Sequence, residues 1–558
     1  MPVYLSSQTS NCKNCYKCIR YCPLKAIRFS GNQAHIMDDE CILCGKCYNI
    51  CPQGAKVVQC SIEKAKVLLG EAEIVAVSLA PSFAAYYDGV GIEAMETALK
   101  KLGFAHVFET ALAATVVKKE YDRIIDEGSQ KVLISSCCHS VNDLIQKYYP
   151  AALPFLARVK SPMQVSAAMI KDEFPTAKTV FIGPCISKKA EADIEPDLVD
   201  CVLTFEELDD WLSEEGIEIE RCTDKTAKGG KTRYFPVTGG IIKSMECKNS
   251  NYNYISIDGV KNCIAAIEEI IAGNLTNCFI EMSACEGSCI GGPIMAKKNN
   301  LPVKNYIDIE KFAVEGDFEI KNGDVSIDKT HIYVGVENDM PGSGNIEEIL
   351  KKMGKFNAED ELNCGSCGYN TCRDKAVAIY QGKADYAMCL PFLKDKAESF
   401  SDNIIGHTPN GIVVLNEALE VQQVNASALN IMNIQSAELI MGEHIVRILD
   451  PEIFLEVLES GENILEKPMF LGEYRKYVEM TIIYDKGYKI LICIMRDVTS
   501  DQLTKERKEA ISLKTIETAD QVVEKQMRVV QEIALLLGET TAETKVALTK
   551  LKESISDE

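Results

Sequence analysis

Cys12, Cys15, Cys18 and Cys22 are spaced C-x2-C-x2-C-x3-C and followed by Pro23, and the run returns at Cys41, Cys44, Cys47 and Cys51, followed by Pro52. No other feature limits the fold as strongly, because a loop that aims several thiols inward is built around whatever they bind. The chain has 24 cysteines, most of them in short C-x2-C or C-x3-C groups. Disulfide scaffolds of that density are usually small and extracellular, whereas 558 residues suffice for about three to five domains. The pattern therefore reads as metal ligation in a reducing, low-oxygen setting. Zinc is the simpler alternative. It usually takes two C-x2-C knuckles, however, and a doubled three-plus-one run with trailing prolines fits it poorly.

Composition adds exclusions. The chain is 46% hydrophobic and 25% charged, ordinary for soluble globular protein. No apolar run approaches the ~20 residues of a membrane helix, and the opening MPVYLSSQTSNCKNC has neither a basic nor an apolar signal region. A cytoplasmic location is expected. The net charge of −22 argues against nucleic acid or an anionic membrane as a partner.

The doubled run resembles bacterial ferredoxins that carry two [4Fe-4S] clusters, in which the fourth Cys of each run ligates the other cluster. The resemblance implies Cys12, Cys15, Cys18 and Cys51 for one cubane, and Cys41, Cys44, Cys47 and Cys22 for the other. From about residue 70 the texture changes to short apolar runs ending in small residues or Cys, such as AEIVAVSLAPS, KVLISSCCHS and TVFIGPCISKK, with helical stretches such as GIEAMETALKKLG between them. This predicts an α/β core with its cysteines at the carboxyl ends of strands, where such folds place ligands.

Three segments of this region, Ser135-Ser136-Cys137-Cys138, Gly183-Pro184-Cys185-Ile186-Ser187-Lys188-Lys189 with Glu191, and Glu281 to Gly292 (EMSACEGSCIGG), resemble in order the signatures of [FeFe]-hydrogenases. Ala80-Pro81-Ser82, Lys160-Ser161-Pro162 and Thr238-Gly239-Gly240 add weaker support. The resemblance covers roughly residues 1–300. It implies an H-cluster, that is, a cubane on Cys138, Cys185, Cys285 and Cys289 with Cys289 bridging to a two-iron subsite that carries CO and CN. It also implies Cys137 as the proton-relay thiol, Lys188 as the donor to a cyanide, and Ala80, Pro81 and Ser82 as cavity lining.

Several residues depart from the family pattern. Gly183 and Ser283 stand where methionines are usual, which predicts a roomier, wetter pocket. His139 and Glu286 replace prolines, Glu286 placing a carboxyl group inside the cluster loop. Both are alternative proton groups. Onward from Cys137, only Glu120 and Asp122 are carboxylate candidates, Tyr121 falls at the key position, and Ala157 replaces a serine. Keeping Cys137 without its relay predicts slow proton exchange.

Cys364, Cys367, Cys372 and Cys389 (C-x2-C-x4-C-x16-C) resemble a small cubane domain found beside corrinoid and acetyl-CoA enzymes, with a four-thiolate zinc site as the alternative. Its position predicts an electrical link from the catalytic cluster toward the C-terminus. Residues 398–500 resemble a PAS domain, with strands in NGIVVLNEALEVQQVN, YRKYVEMTIIYD and YKILICIMRDVT. His407 and His444 are weak haem candidates, and no dedicated PAS cofactor is predicted. Ile516, Val523, Val530 and Leu537 recur seven apart, with Ala519 and Ile533 in partial support and Gln526 interrupting, which predicts a coiled-coil signalling helix. Gly538 is expected to end it, with Thr540 and Glu543 capping a short final helix. Cys60, Cys201, Cys222, Cys247, Cys263, Cys278 and Cys493 lack cluster spacing and are expected to be structural.

The reading is thus a multidomain α/β protein: a two-cluster ferredoxin domain (1–65), an α/β [FeFe]-hydrogenase-like domain (66–355), a small [4Fe-4S] domain (356–396), an α+β PAS-like domain (397–500) and C-terminal signalling or dimerisation helices (501–558). The cofactors expected are three [4Fe-4S] clusters and an H-cluster. The expected function is a low-activity, regulatory [FeFe]-hydrogenase that senses hydrogen or redox state. Its partners would be H2 and protons, a ferredoxin-like electron carrier, a separate kinase or phosphatase, and a second copy of the chain. A metabolic, ferredoxin-linked hydrogenase and a non-catalytic electron carrier are the alternatives.

Overall fold

The computed structural model describes residues 3–220, 230–298, 301–320, 325–336 and 339–555. They form two compact units, Met1–Leu393 and Lys394–Glu558. Among the described residues no helix is long and apolar enough to cross a membrane.

The first unit begins with two antiparallel ribbons, β1 (Leu5–Ser7) on β4 (Lys56–Val58) and β2 (Ile27–Ser30) on β3 (Gln33–Ile36). Two five-residue helices, Lys17–Tyr21 and Lys46–Ile50, each start inside a cysteine run. The loops ahead of them bend sharply: Asn14, Tyr16 and Leu43 all have φ of 54°. Non-glycine residues stay in that left-handed region only where their surroundings hold them there.

The central domain has two all-parallel sheets. One runs in the order β6 (His106–Glu109), β5 (Val75–Leu79), β8 (Lys178–Gly183), β9 (Cys201–Thr204). The other runs β10 (Asn253–Asp258), β11 (Cys278–Ser283), β7 (Val132–Ile134). β5, β7, β9 and β11 are buried along their whole lengths, the mark of strands covered on both faces, and their uninterrupted apolar runs follow from it. The expected α/β core is present. Cys137 and Cys138 follow β7, Cys185 follows β8, and Cys285 follows β11.

Two expected boundaries shift. The helix Ile62–Glu71 runs through the 65/66 division. The helix Ser343–Lys352 packs on the helix Cys372–Tyr380 through Ile349, Leu350, Met353 and Ala376, so residues 343–353 belong with the third cysteine group and not with the catalytic domain.

The second unit is an antiparallel sheet of five strands in the order β13 (Val421–Val424), β12 (Gly411–Asn416), β16 (Ile490–Asp497), β15 (Lys476–Asp485), β14 (Ile464–Leu471). Alternating residues of β12 and β16 (Val413, Leu415, Leu491, Cys493, Met495) meet Phe454 and Val457 of the helix Glu452–Ser460 in one apolar core. Asn425 ties the edge together. Its Oδ1 accepts from Ala428 N at 2.9 Å, capping the helix Ala426–Ile431, and from Ile412 N at 2.8 Å. One helix, Thr499–Ile555, completes the unit. It passes through Gly538 without a break, against the expectation of two helices.

Candidate functional site

The carboxyl ends of the two parallel sheets face one cavity of about 110 Å³. The first sheet supplies Ala80, Pro81 and Ser82 after β5, and Cys185 and Lys188 after β8. The second supplies Cys137, Cys138, Ser283 and Cys289. Behind it, Cys138, Cys185, Cys285 and Cys289 together line a second space of about 30 Å³, whose far wall includes Cys44. The four thiols expected from sequence are therefore gathered at one point. Burial pushes the Cys285 and Cys289 thiols well above their ordinary range, with the neighbouring thiols raising them further. Thiolates gathered this closely need a cation to answer their charge, which is what iron would supply.

The front cavity suits anionic ligands. Ser82 Oγ is buried without a hydrogen-bond partner. Lys188 Nζ donates to Cys137 O at 3.1 Å and to Glu191 Oε2. Burial alone would favour the neutral amine, but the Glu191 carboxylate outweighs it and raises the Lys188 pKa. The pocket is not roomier at Gly183, as its sequence suggested. A Cβ there would come within 2.7 Å of the Phe181 ring, so Phe181 fills the space of the missing side chain.

The relay from Cys137 closes on itself. Burial pushes the Cys137 thiol up to about 12. Its Sγ lies 3.2 Å from the hydroxyl of Tyr121, which is fully buried. That hydroxyl accepts from Ser136 N at 3.0 Å and lies 3.1 Å from Ser136 Oγ, whose own hydrogen goes to Val159 O at 2.6 Å. The chain thus ends on a backbone carbonyl, which accepts a hydrogen bond but no proton. Burial, reinforced by Cys137, also raises Tyr121 well above 10, so the phenol cannot carry charge onward at neutral pH.

Glu281 also lines the cavity, within electrostatic reach of Cys137 and with Oε2 accepting from Ile242 N at 3.1 Å, whereas the candidates singled out from sequence lie elsewhere. Glu120 pairs with Arg123, and Asp122 accepts from Glu246 N at 3.3 Å. Glu286 corrects the expectation of a carboxyl group inside the cluster loop: its side chain is 73% exposed and pairs with Lys46 at 2.9 Å. His139 is buried, with Nε2 3.5 Å from Asp143. Ala157 offers no hydroxyl, and its carbonyl meets His331 Nε2 at 3.1 Å.

In the ferredoxin module Cys22 lies within electrostatic reach of Cys41, Cys44 and Cys47, while Cys18 has Cys12 and Cys15 beside it. Cys22 thus lies among the thiols of the second run. Cys51 caps the helix Lys46–Ile50, and its Sγ accepts from Ala55 N at 3.3 Å. Gly45 sits against Pro293, where a Cβ would come within 2.4 Å, so the loop around Cys44 reaches the catalytic domain only as glycine.

Cys364, Cys367, Cys372 and Cys389 line one small cavity with Lys355 and Lys375. From its sequence position this module is expected to carry an electrical link from the catalytic cluster toward the C-terminus. It rests on the ferredoxin helix Lys17–Tyr21. Gly368, at φ +95°, leaves no room for a Cβ beside Ile19 and Arg20, and its carbonyl accepts from Lys25 Nζ at 2.8 Å. Lys383 pairs with Glu40 at 2.8 Å.

His444 Nδ1 accepts from Val446 N at 3.2 Å, and His407 meets Asn403 O at 3.0 Å, both local turns of chain. Cys201, Cys263, Cys278 and Cys493 are buried, Cys247 is half-buried, Cys60 is exposed, and Cys222 lies outside the described residues. Sequence reasoning missed Lys329, which meets Glu191 from a distant segment carrying no motif.

Comparison with known proteins agrees with this geometry. Residues 66–293 match the family "Iron only hydrogenase large subunit, C-terminal domain". Residues 4–52 match a 4Fe-4S dicluster domain, and residues 360–391 a small Fe-S cluster family. The chain is 28% identical to the NADP-reducing hydrogenase subunit HndD of Solidesulfovibrio fructosivorans, over 47% of this chain and 56% of that one. It is 25% identical to iron hydrogenase 1 of Clostridium pasteurianum, over 43% and 52%. It is 22% identical to the cytosolic iron-sulfur assembly component 3 of Bos taurus, over 49% and 75%. The chain thus spans about half the length of the two hydrogenases. Residues 66–293 thus form a domain similar to the iron-only hydrogenase large subunit, set behind a 4Fe-4S dicluster module.

Proposed function

We propose that this chain is a regulatory [FeFe]-hydrogenase that binds or slowly turns over H2 (2 H+ + 2 e− = H2) and reports hydrogen or redox state. The observation that carries the slow reading is the relay from Cys137, which runs through Tyr121 and Ser136 to the carbonyl of Val159. Cys138, Cys185, Cys285 and Cys289 would hold the H-cluster. Two cubanes would sit on the ferredoxin thiols and one on Cys364, Cys367, Cys372 and Cys389. When bound, the two-iron subsite supplies heterolytic cleavage of H2.

This chain's residues supply the surroundings. Cys137 takes and returns the proton as general acid and base, and its thiol stays protonated at rest because burial disfavours the thiolate. Lys188 and Ser82 offer donors to anionic ligands. Phe181 and Met163 line the cavity and exclude water. Electrons leave past Cys44, which borders the space lined by Cys138, Cys185, Cys285 and Cys289, into the ferredoxin module. From there the third cysteine group is in contact.

The strand order of the second unit supports a PAS-like domain. In the helix Thr499–Ile555, Ile516, Val523, Val530 and Leu537 are all exposed, which supports a seam for a second copy. A separate kinase or phosphatase in the cytoplasm would read the signal. The likeness to the Bos taurus assembly component, whose name describes cluster assembly, favours the competing reading of a non-catalytic iron–sulfur protein.

Infrared spectra of anaerobically matured protein under argon, hydrogen and CO separate the readings. Bands of bound CO and CN that shift under hydrogen are expected. H2/D+ exchange should be slow and rise by at least about tenfold in Tyr121→Glu, which restores a carboxylate beside Cys137. Absent bands, with a control hydrogenase maturing in the same mixture, leave an electron relay. Rapid turnover by the unaltered chain makes it a metabolic hydrogenase.

A further inference from the structure

Lys329 is buried, with only 7% of its side chain exposed, and it lies far in sequence from every signature. Its segment runs along residues 158–160. Lys160 N donates to Ile327 O at 2.8 Å, Lys329 N donates to Arg158 O at 3.1 Å, and Val159 bridges Asp328. The side chain is thereby delivered to the back of the cavity, where Nζ donates to Glu191 Oε1 at 3.0 Å and to Gln164 Oε1 at 2.9 Å.

Glu191 is itself fully buried. Its Oε2 takes Lys188 and, at 3.1 Å, Ser161 Oγ, while its Oε1 takes Lys329. One carboxylate therefore stands between two ammonium groups. A single buried lysine–carboxylate pair would be neutral, and a second buried lysine loses its hydration without recompense unless an anion answers it. The other ionisable groups around this triad include His139, His331 and the thiols Cys137, Cys138, Cys185 and Cys289. Imidazoles carry no negative charge, so apart from the thiols that would hold the cubane none of these groups answers the excess positive charge. The triad faces forward through Lys188, whose side chain lines the same cavity as the unpartnered Ser82 hydroxyl.

We propose that Lys329 is a positioning residue. By sharing Glu191, it leaves Lys188 only partly neutralised and so sets the positive potential that receives an anionic ligand in the cavity. Without it, Lys188 and Glu191, already in contact, form a pair with no net charge, and the positive potential at the cavity falls. The inference rests on the reading that this cavity takes a cyanide-bearing two-iron group.

Two substitutions separate charge from packing. Lys329→Gln keeps a donor toward Glu191 and Gln164 but removes the charge, whereas Lys329→Arg keeps the charge. Both are matured in parallel with the unaltered chain and matched for circular dichroism and cubane electron paramagnetic resonance, then their CN stretching bands are recorded. The expected result is that Lys329→Gln shifts the CN bands or loses them, while Lys329→Arg keeps the bands of the unaltered chain. Unchanged bands in Lys329→Gln, or equal shifts in both variants, overturn the proposal. Absence of bands from the unaltered chain as well overturns the two-iron reading and this inference with it, an outcome distinct from loss in the glutamine variant alone.

Discussion

Residues 5–58 and residues 411–497 are folded by different means. The first stretch has two two-stranded ribbons and two five-residue helices around eight cysteines, and its loops hold non-glycine residues at positive φ. The second builds a five-stranded sheet over a continuous apolar core, with no cysteine group and one fully bonded buried asparagine at its edge. A stretch as small as the first buries too little apolar surface to offset its chain entropy, so metal binding becomes part of its folding free energy. The second is stabilised by area alone. The lesson is that the two regions should respond to different stresses.

Removing iron tests this most severely. Anaerobic chelation should strip hydrogen-exchange protection from residues 5–58 and from the module around Cys364–Cys389, while the strands of residues 411–497 keep theirs. Protection surviving in 5–58 would show that its ribbons and the small core around Ile19, Ile27 and Phe29 suffice without metal. Loss of protection in both regions would mean that the second unit depends on the first.

Acid should separate the units by a smaller margin. Among the described residues of the second unit, Asn425 is the sole buried polar side chain, whereas the first contains a buried ionic network around Glu191. His331 belongs to that network. Burial, helped by the Lys329 charge, lowers its pKa from 6.5 to about 4. The folded chain therefore keeps His331 neutral while the unfolded chain takes up a proton below 6.5. Stability fully present above pH 6.5 is lost as pH falls toward 4, by at most about 3 kcal/mol for this group. His331→Gln should remove that part of the acid sensitivity, moving the acid-unfolding midpoint of the first unit downward. The chain's single tryptophan, Trp211, is 2% exposed within this unit, so its fluorescence reports on it alone. An unchanged midpoint would mean that His331 finds water or a proton in the folded state.

What could be read from sequence follows the same division. Cys138, Cys185, Cys285 and Cys289 were legible as a set only through the resemblance of their three segments to [FeFe]-hydrogenase signatures, and the strands that deliver them followed from their apolar runs. Tyr121 was legible as a break in the relay because a phenol titrates far from neutral pH. Packing was less legible. Gly183 reads as an opening until Phe181 is seen to fill it, since which neighbour occupies a space depends on rotamers that no local pattern encodes. Lys329 was invisible for a related reason: its partner lies 138 positions away, and a lone lysine carries no spacing. Glu286 was misplaced inward because loop position does not determine side-chain direction.

Gly538 offers the finest test, because here propensity and structure disagree within one helix. Glycine costs about 1 kcal/mol relative to alanine inside a helix and often ends one in the left-handed region. The strong helix formers around it override that preference, and Thr540 does not cap a new helix: its Oγ1 donates back to Leu536 O at 2.8 Å, a bond made within a continuing helix. A Cβ at position 538 would meet nothing within 4 Å. Gly538→Ala should therefore stabilise the helix by about 0.5–1 kcal/mol, read as slower hydrogen exchange in peptides spanning residues 530–550 of the intact chain. A left-handed glycine would give the opposite sign, since alanine there costs about 1–2 kcal/mol and exchange would quicken. The sign alone decides whether the seam from Ile516 to Leu537 continues toward Leu551 or stops at its fourth repeat.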